Sequence, residues 1–331
     1  MDELERRLRV ARPISGHRDL PLTDRAKREL ADLMLAEPAH DTRRTRVRPR
    51  RRPLIVYAVA VAAAVLTAVP VVATLTTQPA RAVTPPMLTT TTVSDNARDV
   101  LEEMGDVVAD DLPQQTTDPI QITVQTWVLH TADDGGPLPS VVVPENFAIT
   151  QAPDGTRTVT VTAGAPIDRD GHPVTGDSVP VEGTPLWEEA WEPGEYLPLY
   201  PNPLPSEPAQ IAAFFAEVVG EEPSAAQLIP ELNSLLLEQT LSPAQESALL
   251  RYVSTLPDIE LVGSTTDRLG RDGMIFTATN PDQPDYAQRL IVSPTTGHIL
   301  ATETIYIGVT RTDIASPSVV SYFAWNRTPH P

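Results

Sequence analysis

The sequence predicts an α+β domain beyond residue 94: a curved antiparallel sheet, half-barrel-like, with helices packed on one face. One transmembrane helix and a short helical cytoplasmic tail precede it. Three observations lead there. Residues 54–75 form an uncharged apolar run, stretches of period-two alternation flank a block of capped helical segments, and basic residues crowd the N-terminal 53 positions.

The tail, residues 1–53, carries 15 Lys+Arg against 9 Asp+Glu, a net of +6, in a chain whose net charge is -19. Thr23 to Glu37 (TDRAKRELADLMLAE) places Ala26, Leu30, Leu33 and Met34 on one helical face, with Asp24 as cap and Pro38 as stop. A shorter helix aligns Leu4 with Leu8. Two such helices cannot bury a core of their own, so a partner or the bilayer has to steady them. Two readings of the tail stand open: a docking segment for a cytoplasmic regulator, or a solvated arm that only sets topology.

From Leu54 to Leu75 there are 22 consecutive uncharged residues, about 33 Å as a helix against a hydrocarbon core of roughly 30 Å. Arg43 to Arg52 lies just before this run and predicts a cytoplasmic N-terminus, an extracytoplasmic C-terminus and single-pass cell-membrane localisation. Anionic headgroups account for that arginine run, so no nucleic-acid partner is expected. Ala80-Arg81-Ala82 keeps a cleaved signal peptide open as the alternative.

Residues 76–93, with seven threonines and three prolines, read as a linker, and residues 94–331 as the extracytoplasmic domain. Ser94 is placed to cap an amphipathic helix reaching about Asp110. Ile120 to Leu129, Glu145 to Gln151 and Arg157 to Thr162 alternate as strands, the last two joined through Pro153-Asp154-Gly155. Residues 164–207 are proline-rich and acidic and read mainly as loop, with room for short edge strands. Three helices follow, opened at Glu207-Pro208, Ser224 and Ser242-Pro243. The period then returns to two over residues 260–265, 274–279, 289–292 and 299–307, with residues 319–325 as a last strand.

Chemistry is sparse in this pattern. The chain has no cysteine, which excludes disulfides, thiolate metal sites and a cysteine nucleophile. None of the six histidines stands in a two-ligand spacing, and the phosphate-binding and nucleophile-elbow motifs do not occur. No catalytic, cofactor or metal residue is therefore assigned, and an enzyme is not expected. Trp187, Trp191, Tyr196 and Tyr200, interleaved with Glu188, Glu189, Glu192 and Glu195, are the candidate ligand-facing aromatics, since rings stack on sugars and carboxylates flank glycosidic bonds. The same residues equally suit a second role, pinning a proline-rich connector to the sheet.

RELADLMLAEP, LPSEPAQIAAFFAE, the run from LIPELNSLLLEQT to TTDRLGRDG, and LIVSPTTGHILATETIY together resemble a large, uncharacterised family of actinobacterial single-pass envelope proteins. These are anti-sigma-factor-like or sensor-like membrane regulators. The resemblance implies an outer sensor or binding domain for an envelope ligand, coupled through the tail to a sigma factor or similar regulator. It brings no catalytic residues, and the tail departs from zinc-containing anti-sigma factors in lacking cysteine. In outline the outer part also resembles periplasmic half-barrels such as the lipoprotein-carrier and sensor folds. That implies the alternative function: a cell-surface lipid- or glycan-binding or chaperone module whose tail is only a topology signal.

Overall fold

The structure, a computed structural model, describes residues 81–111, 120–129 and 138–326. The chain divides into two compact units, Met1–Gln78 and Pro79–Pro331, and the described residues all belong to the second.

Four helices occur among them. Helix α1, Ala97–Ala109, starts where Asn96 Oδ1 accepts the Arg98 N–H at 2.9 Å, two residues beyond the expected serine cap, and buries Leu101, Met104 and Val108. Helix α2, Pro208–Val219, carries proline in its first turn and stops at Gly220, whose φ of 88° is the left-handed geometry glycine adopts freely. Helices α3, Ala225–Glu238, and α4, Pro243–Val253, both open on reciprocal capping boxes, Ser224 with Gln227 and Ser242 with Gln245.

The strands are β1 Thr90–Thr91, β2 Ile120–Val128, β3 Glu145–Gln151, β4 Arg157–Ala163, β5 Pro185–Trp191, β6 Glu260–Thr266, β7 Asp272–Thr279, β8 Tyr286–Val292, β9 Ile299–Tyr306 and β10 Ser318–Trp325. They build a single ten-stranded sheet in the order β1-β6-β7-β8-β9-β10-β2-β3-β4-β5. Its paired neighbours run antiparallel, and β10 lies between the two strand blocks, with Tyr322 opposite Trp127 on β2 and opposite Glu303 on β9.

Alternation along each strand splits the apolar residues between two faces. On one face Val124, Val161, Phe276, Leu290 and Phe323 join Leu101, Phe215, Leu232 and Leu249 of the helices in the largest core cluster. On the other, Ile275, Ile291, Ala301, Ile305 and Ala324 pack with Val83, Met87 and Leu88. The small side chains Ala287, Ala301 and Ala324 belong to the same cluster as the buried Val83.

The expected fold class is corrected by this architecture. A large antiparallel sheet dominates, with few helices, in place of the half-barrel-like α+β domain with a spanning helix. The physical reason is that two segments read as connectors pair as strands at the sheet's two ends, and β10 fuses the blocks on either side of the helices into one sheet. Residues 185–191, within the stretch read mainly as loop with room for edge strands, hydrogen-bond to β4 as the edge strand β5, with Trp187, Glu189 and Trp191 alternating with exposed neighbours. Thr90–Thr91, read as linker, pairs with Thr265 and Ser264, while Ala82 and Val83 are buried with N–H bonds to Asp313 and Pro139 carbonyls.

The membrane reading is corrected as well. No helix among the described residues is long and apolar enough to cross a membrane. The longest, α3, has 14 residues and spans about 21 Å, short of a hydrocarbon core. The single-pass topology, the transmembrane description and the cell-membrane localisation thus find no spanning helix among the described residues; residues 54–75, on which they rested, lie outside them.

Candidate functional site

A cleft of about 890 Å³ opens between residues 86–91 and the β6–β7 hairpin. Pro86, Met87 and Leu88 form an apolar wall, and the opposite wall presents the hydroxyl-bearing Ser264, Thr265 and Thr266. Thr265 Oγ1 donates to the Thr89 carbonyl at 2.8 Å, clipping the two walls together at one end. Gly263 sits at the bulge of β6 with φ 149°, and a Cβ there would run into the Thr91 carbonyl, so glycine is what lets the strap approach the strand.

The hairpin turn is held rigid from inside. Asp267 Oδ1 accepts the N–H groups of Leu269 and Arg271 at 3.0 and 2.8 Å, and Oδ2 takes the Arg271 Nε at 2.9 Å. Arg271 then reaches the Trp325 and Leu300 carbonyls at 2.6 and 3.1 Å, tying the turn to β10 and β9. This anchoring aims Arg268 back over the second face of the sheet. Its guanidinium lies 4.6 Å from the Tyr322 ring centroid, donates through Nη2 to the Pro86 carbonyl at 3.2 Å, and pairs with Glu303.

Cross-strand register brings in the third charge. Thr277 opposes Arg289, Arg289 opposes Glu303, and Glu303 opposes Tyr322, a polar row across four strands. Arg289 Nη1 stands 3.7 Å from the Glu303 carboxylate. The side chains are 9% exposed for Arg268, 16% for Arg289 and 0% for Glu303. Both guanidinia approach Glu303 without the alignment of a hydrogen bond, so the pairing is Coulombic rather than directional. The Arg268 Nε and the Arg289 Nε find no acceptor among the described residues, each a cost of about 1–3 kcal/mol if left so. Burial holds the Arg289 guanidinium below the usual arginine range, with Glu303 opposing the shift. Asp272 lines the same cleft from an exposed position.

The four candidate aromatics lie elsewhere, on β5 and the run after it, and the ring contact among them is that of Trp191 with Tyr196. Trp187 meets Phe147 edge-on at 5.7 Å and Trp191 meets Tyr196 at 5.5 Å. Tyr196 donates to Glu238 at 2.7 Å beneath the Arg157 guanidinium, and Tyr200, 3% exposed, donates to Glu231 at 2.8 Å and stacks on Phe214. The tyrosines thus fasten the connector to α3. Trp187 and Trp191 remain half-buried against the main core. The docking candidates Ala26, Leu30, Leu33 and Met34 lie outside the described residues.

Two other polar groups are structural in geometry. His298 Nδ1 lies 2.8 Å from Glu246 and Nε2 3.2 Å from Asp111, joining the β8–β9 turn to α4 and to the end of α1. Asp168, Asp170 and His172 bring ligand atoms within 4.8 Å of one another at the surface, where Asp168 Oδ1 already accepts the N–H groups of Asp170 and His172.

Sequence reasoning missed Arg268, Arg289 and Glu303. For Arg289 and Glu303 a signal was present, since each is a charge inside an alternating strand at a position that shares a face with apolar neighbours; Arg268 lies in a turn and carries no such sign.

No family model matches the chain, and no curated protein matches it. Among solved structures, a LolA superfamily protein from Nitrosomonas europaea aligns over 72% of this chain and 96% of its own, at 11% identity and a TM-score of 0.17. A likeness that faint carries no argument about this chain.

Proposed function

We propose that the chain is a binding module for an elongated, partly apolar ligand of the lipid class, seated in the cleft between residues 86–91 and the β6–β7 hairpin. One observation carries the reading: a cleft of about 890 Å³ lined on one side by the apolar Pro86, Met87 and Leu88 and on the other by the polar residues Ser264, Thr265 and Thr266. Its volume falls in the range of small-molecule sites, roughly 300–1,000 Å³. One wall suits a hydrocarbon chain, the other a polar flank, and the internally bonded turn keeps both in place before binding. A glycan-binding reading at the aromatics is less favoured, because Tyr196 and Tyr200 are committed to Glu238 and Glu231.

Native mass spectrometry of the full chain with hexadecanol tests it. One bound copy is expected, with affinity falling at least ten-fold on Thr266→Trp, which fills the cleft. Equal binding by the variant moves the ligand elsewhere, and no binding by either protein overturns the reading.

A further inference from the structure

We infer that the cleft recognises an acidic headgroup and that Arg268 holds it, so the ligand class is an amphiphile ending in a carboxylate or a phosphate; this rests on the cleft being the binding site.

Arg268 is the cation that lines both the cleft and the buried row beneath it. In that row two guanidinia share the single Glu303 carboxylate, which leaves one positive charge uncompensated where water is excluded. Arg271 does not alter this balance, being neutralised by Asp267. The Nε atoms of Arg268 and Arg289 are buried donors without an acceptor among the described residues. Of the two arginines Arg268 lines the cleft, and a carboxylate or phosphate oxygen there supplies the charge the row lacks and an acceptor for the Arg268 Nε. Tyr322 behind the guanidinium and Pro86 beside it keep Arg268 from swinging away.

The surroundings set which acids are accepted. The chain's net charge of -19 and Asp272 in the cleft repel a small free anion. An apolar tail against Met87 and Leu88 offsets that repulsion, so an acidic amphiphile is favoured over inorganic phosphate.

Calorimetric titration of the full chain with hexadecanoate, hexadecyl phosphate, hexadecanol and inorganic phosphate separates these terms. The wild type should bind either acidic amphiphile at least ten-fold more tightly than hexadecanol. Arg268→Gln should erase that preference while leaving hexadecanol within two-fold, and Arg268→Lys should retain part of it. Equal affinity for acids and alcohol in the wild type overturns the inference while the cleft reading stands. Binding of inorganic phosphate without either amphiphile, lost in Arg268→Gln, supports the anion site and overturns the lipid reading. Binding of none of the four overturns both. Should Arg268→Gln fail to fold, the wild-type comparison of acid with alcohol decides alone.

Discussion

Glu303→Gln isolates the cost of the buried row at the scale of one side chain. The amide keeps the volume of the carboxylate but removes the charge facing Arg268 and Arg289, leaving two guanidinia uncompensated beneath the strap. Breaking a buried ion pair from one side costs about 3–5 kcal/mol, whereas replacing the whole set with apolar residues of similar size is often neutral. Urea unfolding should therefore show a lower midpoint at unchanged slope for Glu303→Gln, and a smaller loss for the triple change Arg268→Met, Arg289→Met, Glu303→Leu. The opposite ranking would mean the row is solvated and its charges matter little.

Helices α3 and α4 begin on the same chemistry, a serine oxygen accepting from the third residue while that residue's glutamine returns a bond to the serine N–H. Ser224→Ala and Ser242→Ala should each cost about 1 kcal/mol, seen as a shift in thermal midpoint, and Gln227→Ala or Gln245→Ala less. Such caps are local, which is why these two helices were legible from Ser224 and Ser242 in the sequence alone. The strands around Pro153-Asp154-Gly155 and the alternation of residues 274–279 and 299–307 were legible for the same reason. Partner choice was not. That Thr90 finds Thr265, or that residues 185–191 add to β4, depends on pairings far apart in the chain, and polar, proline-flanked residues give no local sign of them. The cleft shares that obscurity: Met87, Thr266 and Arg268 become neighbours through register and one bulge at Gly263, and no motif spans them.

At the scale of the molecule, tyrosines report how much of the structure must open together. Burial, reinforced by Glu238, Glu231 and Glu303, raises Tyr196, Tyr200 and Tyr322 above the ordinary tyrosine range, and burial also raises Tyr252. The unfolded chain releases those protons first, so stability is intact below about pH 10 and declines as pH rises beyond it. A spectrophotometric titration should find Tyr196, Tyr200 and Tyr322, three of the seven tyrosines, still protonated at about pH 11 in the folded protein, and ionised at that pH in denaturant. A single step including all seven would contradict their burial. The sheet order carries a different consequence, for synthesis. Because β10 is the last strand in chain order among the described residues and lies between β9 and β2, each half of the sheet waits with an open edge until the ribosome has delivered residues 318–325. A nascent chain cut short just before Ser318 would hold nearly every element of the fold and still offer two long, unpaired strand edges to its neighbours, so a late premature stop should yield an aggregating product, with no partly working one.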